Sequence, residues 1–402
     1  MTRPISQRAH RVPASAIRKL YPLARAAEAR GTTVLYLNIG QPDVWSPATA
    51  GEAMRGYDQP LIAYTQSQGT AEYVETLRAY YASYGAALDA AHINVTTGAS
   101  EGLLFAMLTA LDPGDEIIIP EPFYTNYASI GVMAGVRVVP ITTRFEDGYH
   151  LPPAAELAAA ITPRTKALLL CNPSNPTGVV YRKDEIDAVI DLCKAHDLWL
   201  FMDEVYREFV FPDAPDTYRT LLTRDDLRDR LVVFDSTSKR FSMCGARVGC
   251  VVSRHDELMA AILRLASARL SPPRLGQLVA RAAHADPEAY LAASVEEYLR
   301  RRDVVYAALT ATPGVRVSRP EGAFYTMVRL PVDSAERFAK WLLTDFAADG
   351  ETVMVAPGPG FYATEGLGHD EVRIAYVLDV DRLRRAMDHL AAALDAYPGA
   401  TR

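Results

Sequence analysis

The sequence predicts an α/β protein in which a mostly parallel, doubly wound sheet forms a large domain. A smaller α+β domain is built from the C-terminal part together with an N-terminal arm. Three observations carry that prediction. From Asn94 to Ser253, short continuous apolar runs alternate with helical patterns, which is how βαβ units around a buried parallel sheet read. After a long helical stretch from about Pro287 to Leu309, strands and helices follow in mixed order. The chain has 402 residues, too many for one small core. The expected division is 1–45 (arm and small-domain part), 46–290 (large domain) and 291–402 (C-terminal small domain).

In order along the chain, "SAIRKLYPLARAAEARG" reads as a short helix ending at Gly31, then "VLYLN" as a strand before the turn-rich "IGQPDVWSP". "ASEGLLFAMLTAL" is helical and stops at "DPGD"; "EIIIP" is a strand. A helix near Tyr124–Met133 leads to the strand "VRVVPI". "PAAELAAAI" precedes the strand "KALLLC", and "KDEIDAVIDLCKAH" precedes "LWLFMDE". "LVVFDS" and "RVGCVVS" are the next strands. In the last part, "VRVSRP", "AFYTMVRL", "VMVAP" and "EVRIAYV" read as strands around the helix "SAERFAKWLLTDF". The final helix sets Leu383, Met387, Leu390, Leu394 and Tyr397 on one face, an amphipathic stripe that needs a core to cover it.

Composition narrows the function. The net charge is −7 with acids and bases interspersed, which gives no electrostatic case for nucleic acid or an anionic membrane. The four cysteines (Cys171, Cys193, Cys244, Cys250) show no CxxC pair, and the histidines show no HxxxH or HxH spacing. Reduced, mostly buried thiols in a cytoplasmic protein and no metal site are expected. No apolar run approaches the roughly 20 residues that span a bilayer, and the N-terminus lacks the apolar core of a secretory signal. There are no internal repeats.

Four polar clusters fall at strand ends, where open α/β sheets bind ligands. "TTGASEG" (Thr96–Gly102) puts small residues at a strand-to-helix turn, so the amides of Gly98, Ala99 and Ser100 can approach an anion. The bland reading is a tight turn capped by Ser100. "CNPSNPTG" (Cys171–Gly178) has two Asn-Pro steps, which force a rigid turn. In "MDEVYREF", Asp203 ends a very apolar strand, and a buried carboxylate raises its pKa or demands a cation; the bland alternative is a helix cap. In "DSTSKRFSMCGARVG", Lys239 follows a strand end, Ser236 and Ser238 supply hydroxyls, and Arg247 offers a fork suited to phosphate.

Taken in order, "TGAS…PEPFYTNY…NPSNPTG…DEVY…STSKRFSMCGARVG…RIAY" resembles the fold-type I, class I/II aminotransferases, which use pyridoxal 5′-phosphate. The likeness runs from "LNIGQPD" to "EVRIAYVLD". It implies that Lys239 is the Schiff-base lysine and proton carrier, and that Asp203 pairs with the protonated pyridine nitrogen. It implies that Asn175 and Tyr206 bond the phenolic oxygen, and that Tyr124 stacks on the ring. Gly98, Ala99, Ser100, Ser236 and Arg247 would hold the phosphate. Tyr64 in "AYTQSQG" would reach the phosphate of the neighbouring subunit, which makes a homodimer the expected assembly. Arg373 would grip the substrate α-carboxylate, with Gly40 as a backbone donor beside it.

The substrates implied are an α-amino acid and a 2-oxoacid; an acidic donor such as aspartate or glutamate is named only from how common such donors are. The segment "ARLSPPRLGQ" carries Arg269 and Arg274 where some relatives read a distal carboxylate, yet neither spacing matches. Ile17, the Ile39–Trp45 loop and Asn126 are the expected pocket lining. The rival reading keeps fold and cofactor but steers them to elimination, replacement or cyclisation, as in aminocyclopropane carboxylate synthase-like relatives. A β-lactamase-like reading of Ser236–Lys239 as SxxK lacks its SDN and KTG partners. A cofactor-binding transcriptional regulator would need a DNA-binding module, for which the arm is too short.

Overall fold

Residues 3–401 are described by the computed structural model of the chain. The strands are β1 (Thr33–Tyr36), β2 (Ile93–Thr96), β3 (Glu116–Glu121), β4 (Arg137–Thr142), β5 (Thr165–Cys171), β6 (Trp199–Asp203) and β7 (Leu231–Ser236). They continue with β8 (Gly249–Val252), β9 (Arg316–Val317), β10 (Tyr325–Arg329), β11 (Glu351–Met354), β12 (Ala356–Pro357) and β13 (Glu371–Ala375).

Seven strands form the main sheet in the order β2-β8-β7-β6-β5-β3-β4. β4, β3, β5, β6 and β7 pair in parallel. Their apolar runs are continuous because both faces are covered: Ile117, Leu168, Phe201 and Val232 are fully buried. β8 alone runs against its neighbours, β7 and β2. The link from β7 to β8 is spent on the one-turn helix Thr237–Arg240 and the turn Cys244–Ala246, and the chain turns back without a crossover helix. That reversal brings Ser236 and Thr96 opposite the same residue, Gly249. The ends of β2 and β7 are thereby close together, one on each side of β8.

A second sheet, β12-β13-β10-β9, is antiparallel. β1 of the arm pairs in parallel with β11, so the N-terminal arm joins the C-terminal part. The last helix, Val380–Ala396, buries Leu383, Met387, Leu390 and Leu394 as its stripe requires. The arm helix is shorter than the sequence suggests. It spans Tyr21–Ala29 with Pro22 in its first turn, since proline has no N–H to donate and is at home only there. Residues 15–20 form a separate turn, in which Arg18 and Lys19 donate their amides to the Ser15 carbonyl at 3.1 and 2.9 Å. No helix among the described residues is long and apolar enough to cross a membrane.

Candidate active site

At the carboxyl ends of β5, β6 and β7 lies a cavity of about 510 Å³. Gly40, Gly98, Ala99, Ser100, Tyr124, Asn175, Asp203, Tyr206, Ser236, Lys239, Arg247 and Arg373 all line it. Tyr64 does not; it is 77% exposed in the single chain. Ile17, Ile39 and Asn126 are in the lining, whereas Trp45 stands in solvent.

Lys239 sits in a one-turn helix, Thr237–Arg240, that starts where β7 ends. Its cap is Ser236, whose Oγ accepts from the Ser238 amide at 3.1 Å and donates to the Val248 carbonyl at 3.0 Å. The Lys239 amine donates to the Gly40 carbonyl at 2.7 Å and stands 3.9 Å from Cys244 Sγ. Gly40 thus offers its carbonyl to the free amine. A Cβ there would lie 1.8 Å from the Tyr325 hydroxyl, which is why this position takes glycine.

Asp203 ends β6 with its side chain buried. Its Oδ2 accepts from the Tyr127 hydroxyl at 2.7 Å and its Oδ1 from the Val205 amide at 3.3 Å. Burial pushes this carboxyl up to about 6, against the pull of those two bonds. Among the described residues no cation pairs with it.

Arg373, on β13, is the mirror case. It is 1% exposed, donates to Asn175 Oδ1 at 2.9 Å and to the Asn38 carbonyl at 2.5 Å, and leaves Nε without a partner. Its guanidinium lies over the rings of Tyr325 and Phe361, 4.6 and 4.9 Å from their centroids. Burial lowers its pKa, and among the described residues no carboxylate is in reach to offset that.

At the other end of the cavity, Gly98 opens the helix Ala99–Ala110 at φ 72°. A Cβ on it would meet Arg247 Nη2 at 2.6 Å. Arg247, itself at φ 54°, donates to the carbonyls of Cys244 and Thr97 at 3.1 and 3.3 Å. It is exposed. Gly249 lets this corner close: a Cβ there would lie 2.7 Å from the Ala99 amide nitrogen. The result is a rim of amides at a helix start beside a guanidinium, the chemistry of an anion seat.

Sequence reasoning missed Tyr127, Tyr325 and Arg18, all in the lining. Tyr325 shares its hydroxyl with that of Tyr206 at 2.9 Å. Tyr127 lies within the quoted "PEPFYTNY", so attention to its second tyrosine would have found it. For Tyr325, on a strand far along the chain, no local signal exists. Arg269 and Arg274 are outside the lining; Arg269 reaches the carbonyls of Ser67 and Val95 and approaches Glu101 at 3.6 Å.

The immediate sequence neighbours of the site residues form a second, buried cluster. Arg240 donates to Glu208 Oε1 at 2.8 Å and to Asp235 Oδ2 at 2.5 Å. Arg207 donates to Glu204 Oε2 at 3.1 Å, to Asp235 Oδ2 at 3.1 Å and to the Tyr80 hydroxyl at 2.8 Å. Burial alone would raise Asp235, but Arg240 and Arg207 hold its carboxyl below the usual range. His284, beside Arg240, is pushed down to about 4 by burial and by that charge.

The chain matches the family described as Aminotransferase class I and II over residues 32–390. It is 35% identical over 376 residues to an arginine–pyruvate transaminase of Pseudomonas aeruginosa, covering 92% of each chain. An aspartate aminotransferase of Rhizobium meliloti is 32% identical over 391 residues, 94% of this chain and 93% of that one. Among solved structures, the aspartate aminotransferase of Thermotoga maritima superimposes with a TM-score of 0.88 at 28% identity, covering 97% of this chain and 100% of the other.

Proposed function

The chain belongs to the class I and II aminotransferases and is a transaminase, and from that premise we propose that it works as a homodimer with pyridoxal 5′-phosphate held in the cavity around Lys239. The residues fit that group on their own chemistry. A buried carboxylate without a cation, an anion seat of amides and guanidinium, and an amine between them match a ring nitrogen, a phosphate and an aldehyde. When bound, the cofactor supplies an aldehyde carbon that takes up amino groups and a ring that stores the electron pair freed at the substrate Cα.

The protein's part is to place and to move protons. Lys239 would supply the amine that holds the cofactor's aldehyde and the base that moves the proton at the substrate Cα. Asp203 would face the ring nitrogen and favour its protonated form, with Tyr127 holding the carboxylate through its hydroxyl. Asn175 and Tyr206 would bond the phenolic oxygen, Tyr124 would cover the ring, and Gly98, Ala99, Ser100, Ser236 and Arg247 would hold the phosphate. Arg373 binds the α-carboxylate of amino acid and oxoacid alike, so one site serves both halves of a ping-pong cycle. Gly40 orients the free Lys239 amine through its carbonyl.

The observation that carries this reading is the pairing of two unmet charges, Asp203 and Arg373, in one cavity with Lys239. Dimerisation is supported by Tyr64, Leu61 and Ile62, which stand 77%, 71% and 62% exposed; Tyr64 would complete the partner's phosphate seat. The 1–45, 46–290 and 291–402 division is proposed from the separate sheets, and residence in the cytoplasm from four unpaired thiols.

The test is spectroscopic. Added pyridoxal 5′-phosphate should give the wild-type protein an absorption band near that of a protonated imine, which an amino acid bleaches and a 2-oxoacid restores. Lys239→Ala should bind the cofactor without that band and lose turnover. A Lys239→Ala protein that transfers amino groups at the wild-type rate would end the assignment.

A further inference from the structure

Two tyrosine hydroxyls meet deep in the cavity. Tyr206 and Tyr325 are 3% and 2% exposed, and their oxygens stand 2.9 Å apart. Among the described residues the Tyr206 hydroxyl bonds to no other group, whereas that of Tyr325 also lies 3.4 Å from the Gly40 carbonyl. Resting on the transaminase reading, we propose that Tyr325 is a positioning residue: its hydroxyl donates to Tyr206 and so leaves the Tyr206 proton for the phenolic oxygen of the cofactor.

Each hydroxyl has one proton to give, so the pair can run in two orders. In the first, Tyr325 donates to Tyr206, and Tyr206 donates into the cavity. In the second, Tyr206 donates to Tyr325, Tyr325 donates to the Gly40 carbonyl, and the cavity receives no proton from the pair. The second order depends on the 3.4 Å contact, longer than a good O–H···O bond, and Lys239 already takes that carbonyl at 2.7 Å. The first needs only the 2.9 Å contact. Burial raises the Tyr206 pKa well above its ordinary value, and the neighbouring Tyr325 adds to that, so Tyr206 keeps a proton to give.

Packing fixes the Tyr325 oxygen in place. Its ring stands edge-on to that of Tyr206, with centroids 5.6 Å apart at 86°, and lies 4.6 Å from the Arg373 guanidinium. Gly40 makes room for the hydroxyl, since a Cβ there would lie 1.8 Å from it. Two residues back, Asn38 holds the same loop: its Nδ2 donates to the Ile17 carbonyl at 2.7 Å, and its own carbonyl accepts from Arg373 at 2.5 Å. A hydroxyl that accepts one hydrogen bond is polarised and donates the next more strongly.

The test needs no turnover. A donor at the phenolic oxygen competes with the imine proton for that oxygen, so a weaker donor makes the imine harder to deprotonate. The pH midpoint of the holoenzyme's imine band should rise in Tyr325→Phe by about 0.3 to 0.6 units, a gain of about two- to fourfold in proton affinity. Tyr206→Phe should raise it by about one unit or more. Adding Tyr325→Phe to that variant should move it no further, because the donor acts only through Tyr206. KM for amino acid and 2-oxoacid should stay near wild type in Tyr325→Phe, which keeps the ring beside Arg373. Tyr325→Leu lacks the same hydroxyl and must shift the midpoint in the same direction. A midpoint that stays or falls in Tyr325→Phe would overturn the proposal, a fall being the mark of the second order. So would a shift of equal size in the Tyr206→Phe background. A wild type that shows no band with pyridoxal 5′-phosphate would instead sink the transaminase reading beneath it.

Discussion

The two clusters that share the ends of β6 and β7 are built from adjacent residues and treat charge in opposite ways. Asp203, Tyr206, Ser236 and Lys239 turn toward the cavity; Glu204, Arg207, Asp235 and Arg240, each one step away in sequence, turn into the protein. Successive residues on a strand point to opposite faces, so at Asp235 and Ser236 the strand itself sorts them. On the inner side every guanidinium has its carboxylates. On the cavity side, among the described residues, Asp203 lacks a cation and Arg373 lacks an anion. The difference teaches that the same chain segments hold a rigid, self-satisfied frame and an incomplete site. What completes the site has to come from outside.

Removing charge from the frame should therefore cost stability, and removing it from the cavity should release it. The largest effect is expected for Arg240→Met, which leaves Asp235 and Glu208 short of a buried partner. The cost should be about 4 kcal/mol, read as a lower midpoint in urea for apoprotein and holoenzyme alike.

Next comes Asp203→Asn. The folded carboxyl titrates near 6, above its unfolded value of 3.8. Apoprotein stability should then fall as pH climbs from about 4 to about 6 and stay low above that. A gap of that size between the folded and unfolded carboxyl corresponds to about 3 kcal/mol. At pH 8 the asparagine variant should be more stable than wild-type apoprotein by up to that amount, yet lose most turnover. A less stable variant at pH 8 would contradict the idea of an unmet charge.

The smallest effect is expected for Tyr127→Phe. It removes the hydroxyl that favours the ionised carboxylate, lifts the Asp203 pKa further, and lowers apoprotein stability at pH 8 by about 1 kcal/mol. The loss should shrink toward pH 4, where the carboxyl is protonated in the folded state of both proteins; equilibrium denaturation at the two pH values measures it.

Much of the cavity was legible in the sequence because parallel strands deliver their carboxyl ends to one edge, and the polar clusters at "TGAS", "NPSNPTG", "DEVY" and "STSK" sit at those ends. Tyr64 could be singled out only by resemblance, since its place is outside its own chain's cavity. Tyr325 and Arg18 were not legible, because each arrives through the pairing of distant segments: β10 with β13, and the arm turn with Asn38. The reversed β8 was hidden for a related reason. Its apolar run reads like any buried strand, and its direction depends on how the link before it folds, here a one-turn helix and a turn. The inner frame was invisible as a unit, although a charged residue beside each of Asp203, Tyr206, Ser236 and Lys239 was its one local trace.

The incomplete half of the site has a bearing on how much of the enzyme a cell would hold. A ligand that neutralises Asp203 binds the folded chain and not the unfolded one, so its concentration enters the folding equilibrium directly. Proteases act on the opened fraction. Scarcity of the proposed cofactor would then shorten the protein's lifetime as well as idle it, and abundance would track cofactor supply without any change in synthesis.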